Sequence, residues 1–221
     1  MELDMSADDY DEEAMIAELA AYYGVDPSLI SLEAEPIAER RRLAALLRAP
    51  PTQRLRADER ELIWKFRYTL TSQPHALTRV LKCVDWTDTR EVAHARSLID
   101  QWSPAPVDDL IELLSATFVS ASPWLRAFAV TALRTRATDA QLLAYLLPLV
   151  QAVQYERHVP LPPSEAPLAA LLIARAVANA TEADGELAVL FHWYLNVERR
   201  DARHGMHYAQ VHDTFLSRLA E

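Results

Sequence analysis

The chain has 221 residues, 51% of them apolar, with only three glycines, one cysteine and a formal net charge of −10 at pH 7. So few glycines leave no room for the phosphate-cradling loops and tight turns that need glycine where backbone approaches a ligand. The negative charge argues against binding of nucleic acid or an anionic membrane by the chain as a whole. Cys83 alone rules out an intramolecular disulfide, the acidic start is unlike a secretory signal, and no apolar run approaches the ~20 residues that span a bilayer. The composition therefore predicts an intracellular protein rich in helix-favouring alanine and leucine.

Residues 1–49 read as an acidic tail with short helices. Asp4, Asp8, Asp9, Asp11, Glu12 and Glu13 crowd its beginning, a composition that favours partial disorder. A helix is predicted over residues 12–23, with Ile16, Leu19 and Tyr23 on one face and Gly24 at its end. Asp26-Pro27-Ser28 makes a turn. A second helix is predicted over residues 36–48, its Arg40, Arg41 and Arg42 forming a solvated face. Residues 49–51 read as a linker, and residues 52–221 as the main domain.

From residue 57 onward the pattern is a procession of helices with short, proline-marked breaks. Leu62, Ile63, Phe66 and Leu70 place a helix over 58–71, and Leu77, Leu81 and Val84 place another over 74–84. The next runs from Asp88 to Gln101, with Asp88 or Thr87 as N-cap and Glu91, three residues after Asp88, completing a capping-box pattern. It is followed by one over 107–116. Ser122 caps a fifth with Pro123 at its first position, ending near Arg136. Thr138 caps a sixth, which runs to Tyr155 with a kink at Pro148. Residues 156–165 form a loop, and helices over 166–180, 186–200 and 206–219 complete the chain. The class is all-α. Short breaks make neighbours antiparallel, and pairs that each bury one stripe against the next give a HEAT-like α-solenoid.

Five blocks in order carry a family likeness: ELIWKFRYTLTSQPHALTRVLKCVDW, DDLIELLSATFVSASPWLRAFAVTAL, LLAYLLPLVQAVQYE, LAALLIARAVANA and LAVLFHWYLNVE. Together they resemble the helical (accessory, PIK) domain of class III phosphatidylinositol 3-kinases, over roughly residues 50–219. The resemblance implies a non-catalytic scaffold lying between a C2 domain and a kinase domain. The parent enzyme it implies transfers the γ-phosphate of ATP, with Mg or Mn, to the 3-hydroxyl of phosphatidylinositol in autophagy and endosomal trafficking. Implied partners are the C2 and kinase domains of the same protein, a regulatory kinase-like subunit and a beclin-type subunit. The implied place is the cytoplasm, at endosomal or autophagic membranes. The chain departs from the family in Pro148, in a short segment after QYE where relatives carry a long insert, and in the basic run Arg199-Arg200-Asp201-Ala202-Arg203.

No catalytic, cofactor or metal residue is expected within these residues. Phosphoryl transfer needs a phosphate-covering loop, a lysine on the nucleotide and a metal-binding Asp, whereas Asp-Phe-Gly is missing and the two lysines, Lys65 and Lys82, lie on expected helices. His204, His207 and His212 are spaced poorly for a metal. Cys83, among apolar neighbours, reads as a buried, inert thiol. Arg126, Arg134 and Arg136 read as a solvated basic face. The five tryptophans read mainly as seam fillers, with Trp124 as the exposed one. The expected interface residues are Trp124, His192, Trp193, Tyr194 and Val197. The alternative function is a free-standing HEAT-like interaction module without kinase activity; an independent small enzyme is disfavoured for want of a nucleophile–base pair.

Overall fold

The computed structural model describes residues 34–50, 53–118, 121, 123–158, 167–181 and 185–221. The expectations for the helix over 12–23, the cap at Gly24, the turn at 26–28 and the cap at Ser122 lie outside these. All regular structure among the described residues is helical, and none of their helices is long and apolar enough to cross a membrane. The chain divides after Phe66 into two compact units.

The first unit contains α1 (Ala34–Arg48) and α2 (Ala57–Lys65). Leu43 and Leu46 are the buried face of α1, while Arg40, Arg41 and Arg42 are exposed, as their run predicts. Arg42 pairs with Asp58, and Lys65 Nζ lies 2.6 Å from Glu39 Oε2. Exposed pairs of this kind contribute at most about 1 kcal/mol each; burial of Leu43, Leu46, Leu62 and Ile63 matters more. Glu59 reaches back to accept from the Arg56 backbone N–H at 2.8 Å, closing the start of α2.

Helix α2 ends at Lys65, not at residue 71 as periodicity alone predicts. The hydroxyls of Thr71 and Ser72 donate to the carbonyls of Tyr68 and Thr69, three residues back. Such local bonds compete with the α-ladder, and Thr69–Ser72 forms a 3-10 turn instead.

The second unit continues with a 3-10 turn, Pro74–Ala76, and then α3 (Leu77–Leu81), α4 (Thr89–Asp100), α5 (Val107–Leu113), α6 (Pro123–Arg136), α7 (Asp139–Ala144), α8 (Leu146–Ala152), a 3-10 stretch Val153–His158, α9 (Leu168–Asn179), α10 (Glu186–Glu198) and α11 (Gly205–Leu219). Asp88 caps α4 by accepting from Arg90 N at 2.8 Å. Glu91 does not complete the expected box; it accepts from Asp85 N, tying down the preceding turn. Pro123 takes the first position of α6, and Thr138 with Gln141 forms a reciprocal capping box on α7.

The predicted long sixth helix is broken. Tyr145, at φ −112° and ψ 18°, separates α7 from α8. Pro148, three residues later, cannot donate to the carbonyl of residue 144, and by standing at the third position of a new helix it occupies a place whose N–H needs no helical partner. Helix α5 packs on α6; α9, α10 and α11 pack in succession, with α8 against α10. This order is compatible with a stack of helix pairs. Leu142, Leu149, Val150, Phe191, Leu195 and Phe215 are essentially inaccessible at its centre, and the Phe191 and Phe215 rings meet edge to face at 5.2 Å.

Candidate docking surface

Helix α10 is apolar on both sides. Leu187, Ala188, Phe191 and Leu195 face the core. Val189, Trp193 and Val197, spaced four residues apart and therefore stacked on one face, are 55%, 55% and 61% exposed. A helix that has already buried one stripe gains nothing in its own fold from a second. His192 and Tyr194, also expected at the interface, are half-buried on the flanks of this stripe. A groove of about 400 Å³ runs beside it, lined by Ala188, Val189, His192, Trp193, Phe215 and Leu219.

The ends of α10 are held by specific local chemistry. Gly185 precedes the helix at φ +51°, a left-handed conformation that disfavours a side chain, and Asn179 Oδ1 accepts from Leu187 N at 3.0 Å. Beyond the other end, Asp201 accepts from the backbone N–H groups of Arg203 and His204 at 2.8 and 2.6 Å; these bonds hold its carboxyl below the usual range. Gly205 then passes so close to Arg199 that an added Cβ would lie 2.4 Å from the Arg199 carbonyl oxygen. Tyr208 of α11 donates to the Val150 and Gln151 carbonyls, each at 3.1 Å, and burial, aided by Glu198, pushes its phenol well above the ordinary value.

Two histidines bridge α10 and α11. His212 Nε2 lies 3.0 Å from His192 Nδ1, and Arg199 Nη1 lies 3.4 Å from His212 Nδ1. Burial first, then His192 and Arg199, lower the affinity of His212 for a proton. The three C-terminal histidines do not converge. His204 pairs instead with Asp201 at 3.2 Å. The one described set of three potential ligands with mutually close donor atoms is His75, Asp108 and Asp109, which the sequence reading did not single out. His75 and Asp108 are exposed, and burial together with Asp108 pushes the Asp109 carboxyl up to about 6.

Two expectations are corrected. Trp124 is half-buried: its ring lies 6.3 Å from that of Trp86, with the Arg96 guanidinium 5.9 Å from its centre. The other half-buried tryptophans are Trp64, Trp86 and Trp102, which leaves Trp193 as the exposed one among the five. Arg126 is likewise not on a solvated face. It is 8% exposed and donates to the Leu114 and Ala152 carbonyls at 3.3 and 2.8 Å, the C-terminal ends of α5 and α8. Glu156 Oε1 stands 3.8 Å away and accepts from Leu168 N, while its Oε2 accepts from Ala169 N at 3.3 Å, at the start of α9. Burial lowers the proton affinity of Arg126 and raises that of Glu156. Cys83 is buried, its thiol donating to the Arg79 carbonyl at 3.2 Å, as its apolar neighbours predict.

Residues 32–221 match the accessory domain (PIK domain) model of the phosphoinositide 3-kinase family. The chain belongs to this PIK-domain family. The same stretch is similar to part of several kinases: it is 42% identical over 163 residues to the root isoform of phosphatidylinositol 3-kinase from Glycine max, covering 74% of this chain and 18% of that protein. It is also 42% identical over 166 residues to phosphatidylinositol 3-kinase pik3 of Schizosaccharomyces pombe, covering 73% and 20%. With phosphatidylinositol 3-kinase VPS34 of Arabidopsis thaliana it shares 40% identity over 178 residues, covering 80% and 20%. The PIK domain thus spans about a fifth of the length of the curated relatives it matches. The tight Arg126–Glu156 junction and the exposed face of α10 are features of this PIK domain.

Proposed function

We propose that this chain is the rigid helical scaffold of a class III phosphatidylinositol 3-kinase, and that the Val189–Trp193–Val197 face of α10 is where the kinase lobes dock. The observation that carries this reading is a solvent-exposed apolar stripe, with a large aromatic at its centre, on a helix whose opposite side is already in the core. Buried aromatics with flanking aliphatics are the usual energetic centre of a protein interface. In this reading residues 52–221 hold the catalytic lobes in register while the lobes transfer the γ-phosphate of ATP, with Mg or Mn, to the 3-hydroxyl of phosphatidylinositol. His192 and Tyr194 fill the flanks of the contact, and a C2 domain, a regulatory kinase-like subunit and a beclin-type subunit complete the assembly on endosomal or autophagic membranes.

The test is Trp193→Ala in the full-length enzyme, with lipid-kinase turnover and lobe association measured beside the thermal stability of the isolated domain. Loss of a docking aromatic of this exposure is expected to reduce association by about tenfold or more, because such anchors contribute about 2 kcal/mol. Unchanged turnover and assembly would overturn the docking assignment.

A further inference from the structure

We infer that Arg199, His212 and His192 form a one-way hydrogen-bond relay that latches α11 to α10 only while both imidazoles are neutral, making this seam acid-sensitive. The direction follows from the donors. An arginine guanidinium can only donate, so His212 Nδ1, 3.4 Å from Arg199 Nη1, is an acceptor. His212 therefore carries its proton on Nε2 and donates it across 3.0 Å to His192 Nδ1. His192, with Nδ1 accepting, carries its own proton on Nε2. Each ring has a single acceptor nitrogen, and both are in use.

An added proton must therefore land on a nitrogen that is already receiving a hydrogen bond. On His212 Nδ1 it sets N–H against the Arg199 N–H and places a second positive charge beside the guanidinium. On His192 Nδ1 it sets N–H against the His212 N–H. Shifting the His212 proton to relieve that clash recreates the first one. Protonation thus turns one attraction into a donor–donor contact whichever ring takes it. The rings are 4.8 Å apart, and His212, which holds the middle of the relay, is 4% exposed, so little water reaches its nitrogens to compensate.

The surrounding charges do not offset this. On its own helix His212 has Asp213, the one group that favours its protonated form; from the C-terminal end of α10 come Glu198, which lies 3.2 Å from the Gln151 amide, and the capping residue Arg199, which opposes it. From α9 the only charged residue is Arg175, bonded to Asp139 and the Ala137 carbonyl. From the 3-10 stretch Val153–His158, Glu156 is committed to Arg126 and the start of α9. His212 thus binds a proton less readily folded than unfolded, where its ordinary value is 6.5. The stability that this preference contributes is present above that pH and is lost as the pH falls below it.

The relay concerns the α10–α11 seam itself and stands whether or not the kinase lobes dock on α10. The test uses the full 221-residue chain labelled with 15N. Long-range proton–nitrogen spectra near neutral pH are expected to show Nε2–H and unprotonated Nδ1 on both rings, and a titration from about pH 7.5 to about 5 is expected to move the His212 midpoint below that of a free histidine. An Nδ1–H tautomer on either ring, or a His212 midpoint at or above the free value, would overturn the relay. Thermal melts over the same range add a second readout: the downward shift of the wild-type midpoint in acid is expected to shrink in His212→Gln. If that variant does not fold, His192→Gln takes its place. An acid shift as large in the variant as in the wild type refutes the latch.

Discussion

Arg126→Met removes the guanidinium that joins three helix ends, and it keeps most of the aliphatic stem. In the native chain Arg126 supplies positive charge to the Leu114 and Ala152 carbonyls, at the C-terminal ends of α5 and α8, and Glu156 supplies negative charge to the N-terminal N–H groups of α9. Each residue thus stands at the helix end whose dipole favours its charge. With Met at 126, two interior carbonyls lose a charged donor, and hydrogen bonds of that kind contribute about 1.5–3 kcal/mol each. Glu156, its side chain 6% exposed, then keeps its two backbone donors but has no countercharge. Breaking a buried pair by removing one partner costs about 3–5 kcal/mol, and the relieved desolvation of arginine keeps the total near that range. The assay is urea unfolding of the full chain, reading the midpoint and slope for Arg126→Met, Glu156→Gln and the double variant. Glu156→Gln is expected to cost less, about 1–2 kcal/mol, because the amide oxygen still accepts from α9. The double variant is expected to recover part of the Arg126→Met loss. A loss below about 1 kcal/mol for Arg126→Met, or strictly additive losses, would refute the reasoning.

Two further substitutions test the local structure around the site. Gly205→Ala places a methyl group 2.4 Å from the Arg199 carbonyl oxygen, a backbone atom that cannot rotate away. It is expected to cost about 2 kcal/mol or more and to loosen the α10–α11 turn, read by hydrogen exchange of the amides at residues 199–208; unaltered exchange and midpoint would refute the close approach. Thr138→Ala removes the acceptor for Gln141 N and breaks the capping box on α7, with an expected loss of about 1 kcal/mol in the same urea assay. A change within about 0.3 kcal/mol would show that the box contributes nothing.

The helical class, most helix starts and the buried thiol were legible in the sequence, because capping residues, proline positions and apolar spacing act locally. Thr138 and Pro123 begin helices where their chemistry places them. The misread features each depend on something distant or competing. Periodicity carried the helix of Leu62 and Ile63 on through Leu70, but the hydroxyls of Thr71 and Ser72 bond backward and tighten the chain. Arg126 looks like any surface arginine until Leu114, Ala152 and Glu156, far apart in sequence, are seen to surround it. Its flanks, Leu125 and Ala127, were the available signal, since an arginine inside an apolar run has few ways to reach water. At the site, His192, Trp193, Tyr194 and Val197 lie together on α10 and its flanks, while Trp124 goes to a seam with Trp86. Sequence spacing shows which residues share a helix face, not which face is left uncovered.

Glu156 has one more consequence, for how this chain tolerates change in length. Its carboxylate stands within Val153–His158 and holds the first N–H groups of α9, so that stretch and the start of α9 are fastened to each other by a single side chain. Whatever is spliced between them starts and finishes at the same two points. Doubling such a stretch costs only about 0.6 kcal/mol of closure entropy, less than the clasp contributes. The helix ends that this side chain joins, those of α8 and α9, are therefore expected to go on meeting as they do now when the chain between them is lengthened.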